Sequence, residues 1–239
     1  MVDLGDSVSG IRSGLIARRE LLVGSGAAAL ALALPRIARA GEAWETIARE
    51  GGIVVQLRPE PGRQFPSYRS ICRMPANRWK ILAVFADADR HSEWAHRCVE
   101  SRLIDHPSPT EYVVYSRNKA PWPAKDRDIV FKGKITVRNG GNEIVVRSRE
   151  VEHRKAPSPP QGTIRIPRMR GMVRIVTIDD EHSMVLYQVN ADPGGRVPDW
   201  IVKMTSKNLP LITMRGLRDR VRAVGDTYDT TELRGLADL

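Results

Sequence analysis

The chain has 239 residues, 41% of them hydrophobic and 28% charged, and a formal net charge of +10. Those totals suit one domain with a core that needs no metal or disulfide staple, plus a short appendage, and exclude a disordered or fibrous chain. The basic excess raises nucleic acid and anionic lipid surfaces as partners, but the cations alternate with apolar residues, as in Arg165-Ile166-Pro167-Arg168-Met169-Arg170, and no nucleic-acid-binding signature accompanies them, so nucleic acid is not an expected partner.

The first segment reads as an address. Arg18-Arg19 precedes an uncharged Ala- and Gly-rich run over residues 21–34, then Pro35 and the small-x-small site Ala38-Arg39-Ala40. The run is shorter than the ~20 apolar residues that cross a bilayer comfortably. Residues 1–40 are therefore expected to be a twin-arginine-type export signal, cleaved after Ala40, with the mature protein periplasmic or exported. The alternative is an uncleaved segment that anchors the protein to the inner membrane. Cys72 and Cys98 remain. In an oxidising compartment they either pair or stay as two buried thiols, and their spacing does not choose.

Residues 43–49 read as a short helix ended by Gly51-Gly52, and residues 53–57 as a β-branched strand. Pro59-Glu60-Pro61-Gly62 is a turn, and residues 65–74 are extended. Trp79, Leu82, Ala83 and Phe85 then fall at helical spacing, with Pro75 at the helix start. A run of strands follows over residues 99–104, 112–118, 128–137, 143–152, 163–169, 173–179 and 184–191, broken by turn sequences such as Asn139-Gly140-Gly141-Asn142. Residues 197–224 form a long helix opened by Pro198 and kinked at Pro210, and residues 226–239 are a loose tail. Successive short strands between helices argue for an α+β domain over residues 41–225, in which a curved antiparallel sheet is covered by the last helix.

Several pieces come in a telling order. They are Phe85-Ala86-Asp87 with Glu93-Trp94, then Tyr115 to Asn118 leading to Pro121-Trp122-Pro123 and Asp126-Arg127-Asp128. Val189-Asn190-Ala191-Asp192-Pro193-Gly194-Gly195 and Val197-Pro198-Asp199-Trp200-Ile201-Val202 complete them. At these spacings the chain resembles the START (steroidogenic acute regulatory protein-related lipid transfer) family, most like its phosphatidylcholine-transfer branch. The resemblance implies a helix-grip fold: a curved antiparallel β-sheet wrapped around a long C-terminal helix, with a lipid-sized cavity, one lipid or sterol-like ligand and no cofactor. Sterol-binding members tend to place an arginine in the strand after Arg127-Asp128. Here stand Lys132-Gly133-Lys134, which leaves the ligand class open.

No histidine sits at metal-ligand spacing, and neither a nucleophile elbow nor a phosphate loop occurs, so no catalytic or metal site is expected. Arg127 either joins an ion pair that fixes the strand entrance or faces the cavity, where a guanidinium can hold a phosphate or carboxylate. Trp122 either walls the cavity or packs its turn. On the closing helix Ile201, Met204, Thr205, Asn208 and Ile212 share one face, which is either plain core or the cavity's ceiling, with Met204 and Met214 as adaptable lining. Lys203, Lys207 and Arg218 on the outer side would favour an anionic membrane surface. The expected function is binding and transfer of a lipid or other apolar molecule without bond chemistry. The alternatives are a cyclase or hydrolase using the same cavity, and a basic adaptor with a filled core.

Overall fold

In the computed structural model the described residues are 43–63, 65–225 and 227–238, so the reading of residues 1–40 as an export signal lies outside them. The described part opens with a hairpin of β1 (Glu45–Glu50) and β2 (Ile53–Arg58). This corrects the helix expected over residues 43–49. Gly51 and Gly52 both hold positive φ, 55° and 76°, the requirement of a two-residue hairpin turn whose twist matches its strands. Glu50 thereby lies opposite Ile53 and Glu45 opposite Leu57.

β3 (Ser67–Met74) leads into α1 (Arg78–Ala86). The helix starts at Asn77, not at Pro75: the Asn77 carboxamide accepts from the amides of Trp79 and Lys80, two donors that otherwise lack partners at a helix start. A 3-10 turn, Ala88–Glu93, connects to β4 (Cys98–Ser108), β5 (Glu111–Asn118), β6 (Asp126–Arg138) and β7 (Glu143–Glu150). The strand expected over residues 163–169 is divided. β8 (Thr163–Arg165) runs parallel to β6, and β9 (Arg168–Thr177) resumes after Pro167, which has no amide hydrogen to donate. β10 (Ser183–Asp192) completes a ten-stranded sheet in the order β1-β2-β3-β10-β9-β7-β6-β5-β4, antiparallel along that path.

α2 (Asp199–Ala223) runs through Pro210. The tail beyond it is not loose. α3 (Thr231–Gly235) and a final turn return to the core, where Leu236 is buried and Tyr228 and Leu233 pack against it. The Tyr228 hydroxyl donates to Asp87 Oδ2 at 2.6 Å.

The concave face of the sheet is divided along its strands. One half is filled by Val114 of β5, Ile135 of β6, Ile144 of β7, Ile175 of β9 and Val185 of β10, packed with Ile81 and Leu82 of α1 and Met214, Leu217 and Val221 of α2. On the convex side Val113, Tyr115 and Val130 make a smaller cluster with Val151 and Ala156. The concave half left unfilled holds the cavity.

Candidate ligand-binding cavity

The unfilled half encloses about 360 Å³, a volume within the range of small-ligand sites. Period-2 alternation sends every second residue into it: Arg127, Ile129 and Phe131 from β6, Ser116 and Asn118 from β5, Tyr187, Val189 and Ala191 from β10, and Met169, Gly171 and Val173 from β9. Phe85, His91 and Trp94 close the side, and Val202, Leu209 and Thr213 of α2 lie above. Most of this surface is aromatic or aliphatic.

Arg127 and Asp128 part company because neighbours on a strand face opposite ways. Asp128 is fully buried toward the convex side and accepts two bonds from Arg165, at 2.9 and 2.8 Å. Arg127 lines the cavity and donates to the carbonyls of Pro193 (3.2 Å), Lys125 (2.5 Å) and Gly194 (3.1 Å). Both readings of the triplet are thus present, on different arginines. Trp122 stands 87% exposed and does not line the cavity, although Pro121 beside it does.

On α2 two of the five side chains of the expected face are described. Asn208 and Ile212 are half-buried and outside the lining, while Leu209 and Thr213, each one position on, are in it. The side chains of Ile201, Lys203, Met204 and Thr205 lie outside the described ones. Met214 belongs to the filled core. Arg218 does not stand outward: its guanidinium donates to the Gly51 carbonyl at 2.6 Å and lies 3.7 Å from Cys72 Sγ.

Polar groups gather where β4, β5 and β6 meet. Asn118 Nδ2 donates to Ser116 Oγ at 3.4 Å, Cys98 Sγ lies 3.6 Å from the same oxygen, and the His96 amide donates to Thr213 Oγ1 at 3.4 Å. Cys72 and Cys98 are both free and buried, and burial raises both thiols above their ordinary pKa. Desolvation lowers the pKa of His91 against the opposing pull of the Phe85 carbonyl, 2.8 Å from Nε2. Burial pushes the Tyr187 hydroxyl up to about 12. The two His–Asp pairs, His153–Asp105 and His182–Asp179, lie outside the lining. Among the described residues no group of three or more His, Cys, Asp or Glu side chains is placed to hold a metal ion.

One structural pair escaped the sequence reading. Gly133, opposite Tyr112 across β5 and β6, leaves room for that ring: a Cβ there would stand 2.2 Å from Tyr112 Cζ. The residue noted for lacking a sterol-type arginine is thus a seat for an aromatic neighbour.

Comparison with known proteins completes the picture. A protein of uncharacterized function from Pseudomonas aeruginosa is 28% identical over 74% of this chain and 86% of its own length. The phosphatidylcholine transfer protein of Bos taurus is 25% identical over 73% of this chain and 82% of its own. The crystal structure of a StAR-related lipid transfer protein from Xanthomonas axonopodis matches with a TM-score of 0.67 and 30% identity, covering 75% of this chain and 98% of that one. Human StAR-related lipid transfer protein 5, at 17% identity and a TM-score of 0.66, shares the fold. The START domain family model matches residues 27–227. With a ten-stranded antiparallel sheet, a covering C-terminal helix and this match over most of its length, the chain belongs to the START domain family.

Proposed function

We propose that this protein binds one lipid in its internal cavity and carries it between membranes, with no bond made or broken. The observation that carries the reading is the cavity itself, an apolar chamber on the concave face with polar groups gathered where three strands meet. Moving an apolar molecule through water costs about 0.8 kcal/mol for each exposed CH₂, and enclosure removes that cost in transit. The lipid-transfer relatives support the same reading. Exchange requires the N-terminal half of α2 or the adjoining loops to move aside.

The proposal includes export: the Arg18-Arg19 pattern and the Ala38-Arg39-Ala40 site support delivery to the periplasm by a route for folded cargo. It also includes contact with anionic membrane, supported by five cations on the convex face of the sheet. Lys132, Lys134, Arg147, Arg149 and Arg170 line a groove there with Glu111 as its one acid.

The experiment is native mass spectrometry with lipid extraction on chain recovered from cells expressing the full sequence, beside the double variant Arg18→Lys, Arg19→Lys. The expected result is one lipid per chain in the periplasmic fraction, with the variant retained inside the cell. Empty protein that also refuses added phospholipids, fatty acids and sterols would sink the carriage reading. Equal export of the variant would sink the assigned route.

A further inference from the structure

The polar part of the cavity carries charge of one sign. Among the described residues Arg97, Lys119 and Arg127 line it, and no Asp or Glu does. Topology gathers these three. Arg97 immediately precedes β4, Lys119 immediately follows β5, and Arg127 is the second residue of β6. Asn118 lies opposite both Cys98 and Arg127, and the Lys119 amide donates to the Arg97 carbonyl at 2.9 Å.

Arg127 is only 8% exposed, and a buried charge is ordinarily matched by an opposite one. Its sequence neighbours do not bond it. Asp126 accepts from the Ala120 amide and faces Arg117 at 3.6 Å, while Asp128 is taken by Arg165. The guanidinium instead rests on three neutral carbonyls. Three of its five N–H donors are thereby used and two remain. Arg97 and Lys119 are exposed and have no carboxylate partner among the described residues. Trp94, another lining residue, has an indole N–H without a partner.

The rest of the chamber is greasy and small. Ile129, Phe131, Met169, Tyr187 and Val189 surround a space of about 360 Å³. The space lies at the small end of ligand sites, which run from ~300 to ~1,000 Å³, and suits one slender chain better than two.

We infer that the ligand is a single-chain amphiphile with an anionic head group, a carboxylate or a phosphate monoester, held at Arg127 with Arg97 and Lys119 at the mouth. This rests on the carriage reading and narrows it. The apolar tail lies against β6, β9 and β10 and the head group meets the free donors of Arg127. A neutral, apolar head would leave the two remaining N–H donors of Arg127 without an acceptor.

The test is titration of the delipidated full chain, by calorimetry and native mass spectrometry, with five probes. They are dodecanoate, dodecyl phosphate, methyl dodecanoate, and vesicles of dioleoyl phosphatidylcholine or dioleoyl phosphatidic acid. One or both single-chain anions should load one per chain, and their relative affinity tells carboxylate from phosphate. The methyl ester should bind roughly ten- to hundredfold more weakly than the acid, the value of a charge-assisted hydrogen-bonded pair. Arg127→Gln should weaken the anions and leave the ester unchanged. Because Arg127 also ties three backbone carbonyls, the double variant Arg97→Ser, Lys119→Ser provides a second arm, with a smaller loss of the same sign. An ester that binds as well as the acid overturns the inference, as does loading by either two-chain phospholipid at the affinity of the single-chain anions. In both cases carriage stands. If no probe loads, the inference is overturned, and carriage fails with it once added sterol is refused as well.

Discussion

His91 lies at the seam between the filled and empty halves of the concave face. Its Nε2 is 2.8 Å from the Phe85 carbonyl, its Nδ1 is 3.4 Å from Ser101 Oγ, and its ring meets Trp94 edge-on at 5.1 Å. A neutral imidazole satisfies both contacts, donating from Nε2 to the carbonyl and accepting at Nδ1 from the hydroxyl. Desolvation lowers its pKa, and Asp87 and Asp89 only partly offset that. The unfolded chain, with an imidazole near ~6.5, then binds more protons than the folded one at mildly acidic pH. Stability is therefore full above that value and is lost as pH falls through it, levelling off below the lowered folded value. His96, also lowered by burial and by Arg97, adds a loss of the same sign. In urea unfolding the midpoint should drop between pH 7.5 and 5.5, and His91→Gln should shrink that drop by removing one contributor. Equal drops in the two proteins would mean that His91 is not the group responsible. The alternation that separates Arg127 from Asp128 was legible from the triplet alone. The carbonyls that Arg127 meets were not, because Pro193 and Gly194 reach it from the far end of β10.

At the scale of elements, α2 does two jobs. Residues 197–224 are legible as one long helix from their apolar content and the opening Pro198, which predict a single buried stripe. The helix instead covers the cavity with Val202, Leu209 and Thr213 and enters the core with Leu211, Met214, Leu217 and Val221. Two apolar faces on one helix blur the 3.6-residue pattern on which such a reading depends. β1 was missed for a related reason. Gly51-Gly52 can end a helix or turn a hairpin, and only the strand at residues 53–58 decides between them. Gly216 anchors the core half of α2. A Cβ there would stand 2.1 Å from the carbonyl oxygen of Trp94, backbone that cannot swing away. Ala is the better helix former by roughly 0.8–1 kcal/mol, so propensity alone predicts that Gly216→Ala stabilises. The close approach predicts the reverse, a loss of about 1–3 kcal/mol as α2 is levered off the Ala88–Glu93 turn. Chemical denaturation of the two proteins decides, and an increase in stability would show that the helix moves aside without cost.

At the scale of the molecule, the described domain presents two faces of different chemistry: a concave side that holds apolar space and a convex side crowded with cations. On the latter, Lys134 lies directly opposite Arg147, Lys132 opposite Arg149, and Arg149 opposite Arg170. Like charges facing each other across strands are destabilising by about 0.2–1 kcal/mol a pair. Glu111, 2.8 Å from Lys132 and 4.0 Å from Lys134, and Glu150, 3.6 Å from Arg170, relieve part of this. Arg147 and Arg149 have no carboxylate partner among the described residues and are exposed. A negatively charged bilayer would supply the missing anions at about 1 kcal/mol for each cation brought near its surface. Replacing Arg147 and Arg149 together by Ser should thus lower binding to phosphatidylserine-containing vesicles by roughly ten- to thirtyfold. The thermal midpoint should hold or rise, since repulsion is relieved. The informative quantity is the excess of anionic over zwitterionic vesicle binding in co-sedimentation. That excess should fade as salt is raised past 0.15 M, where the screening length is ~8 Å. If the excess survives the double substitution unchanged, the convex face is a solvated surface and the protein meets its membranes elsewhere.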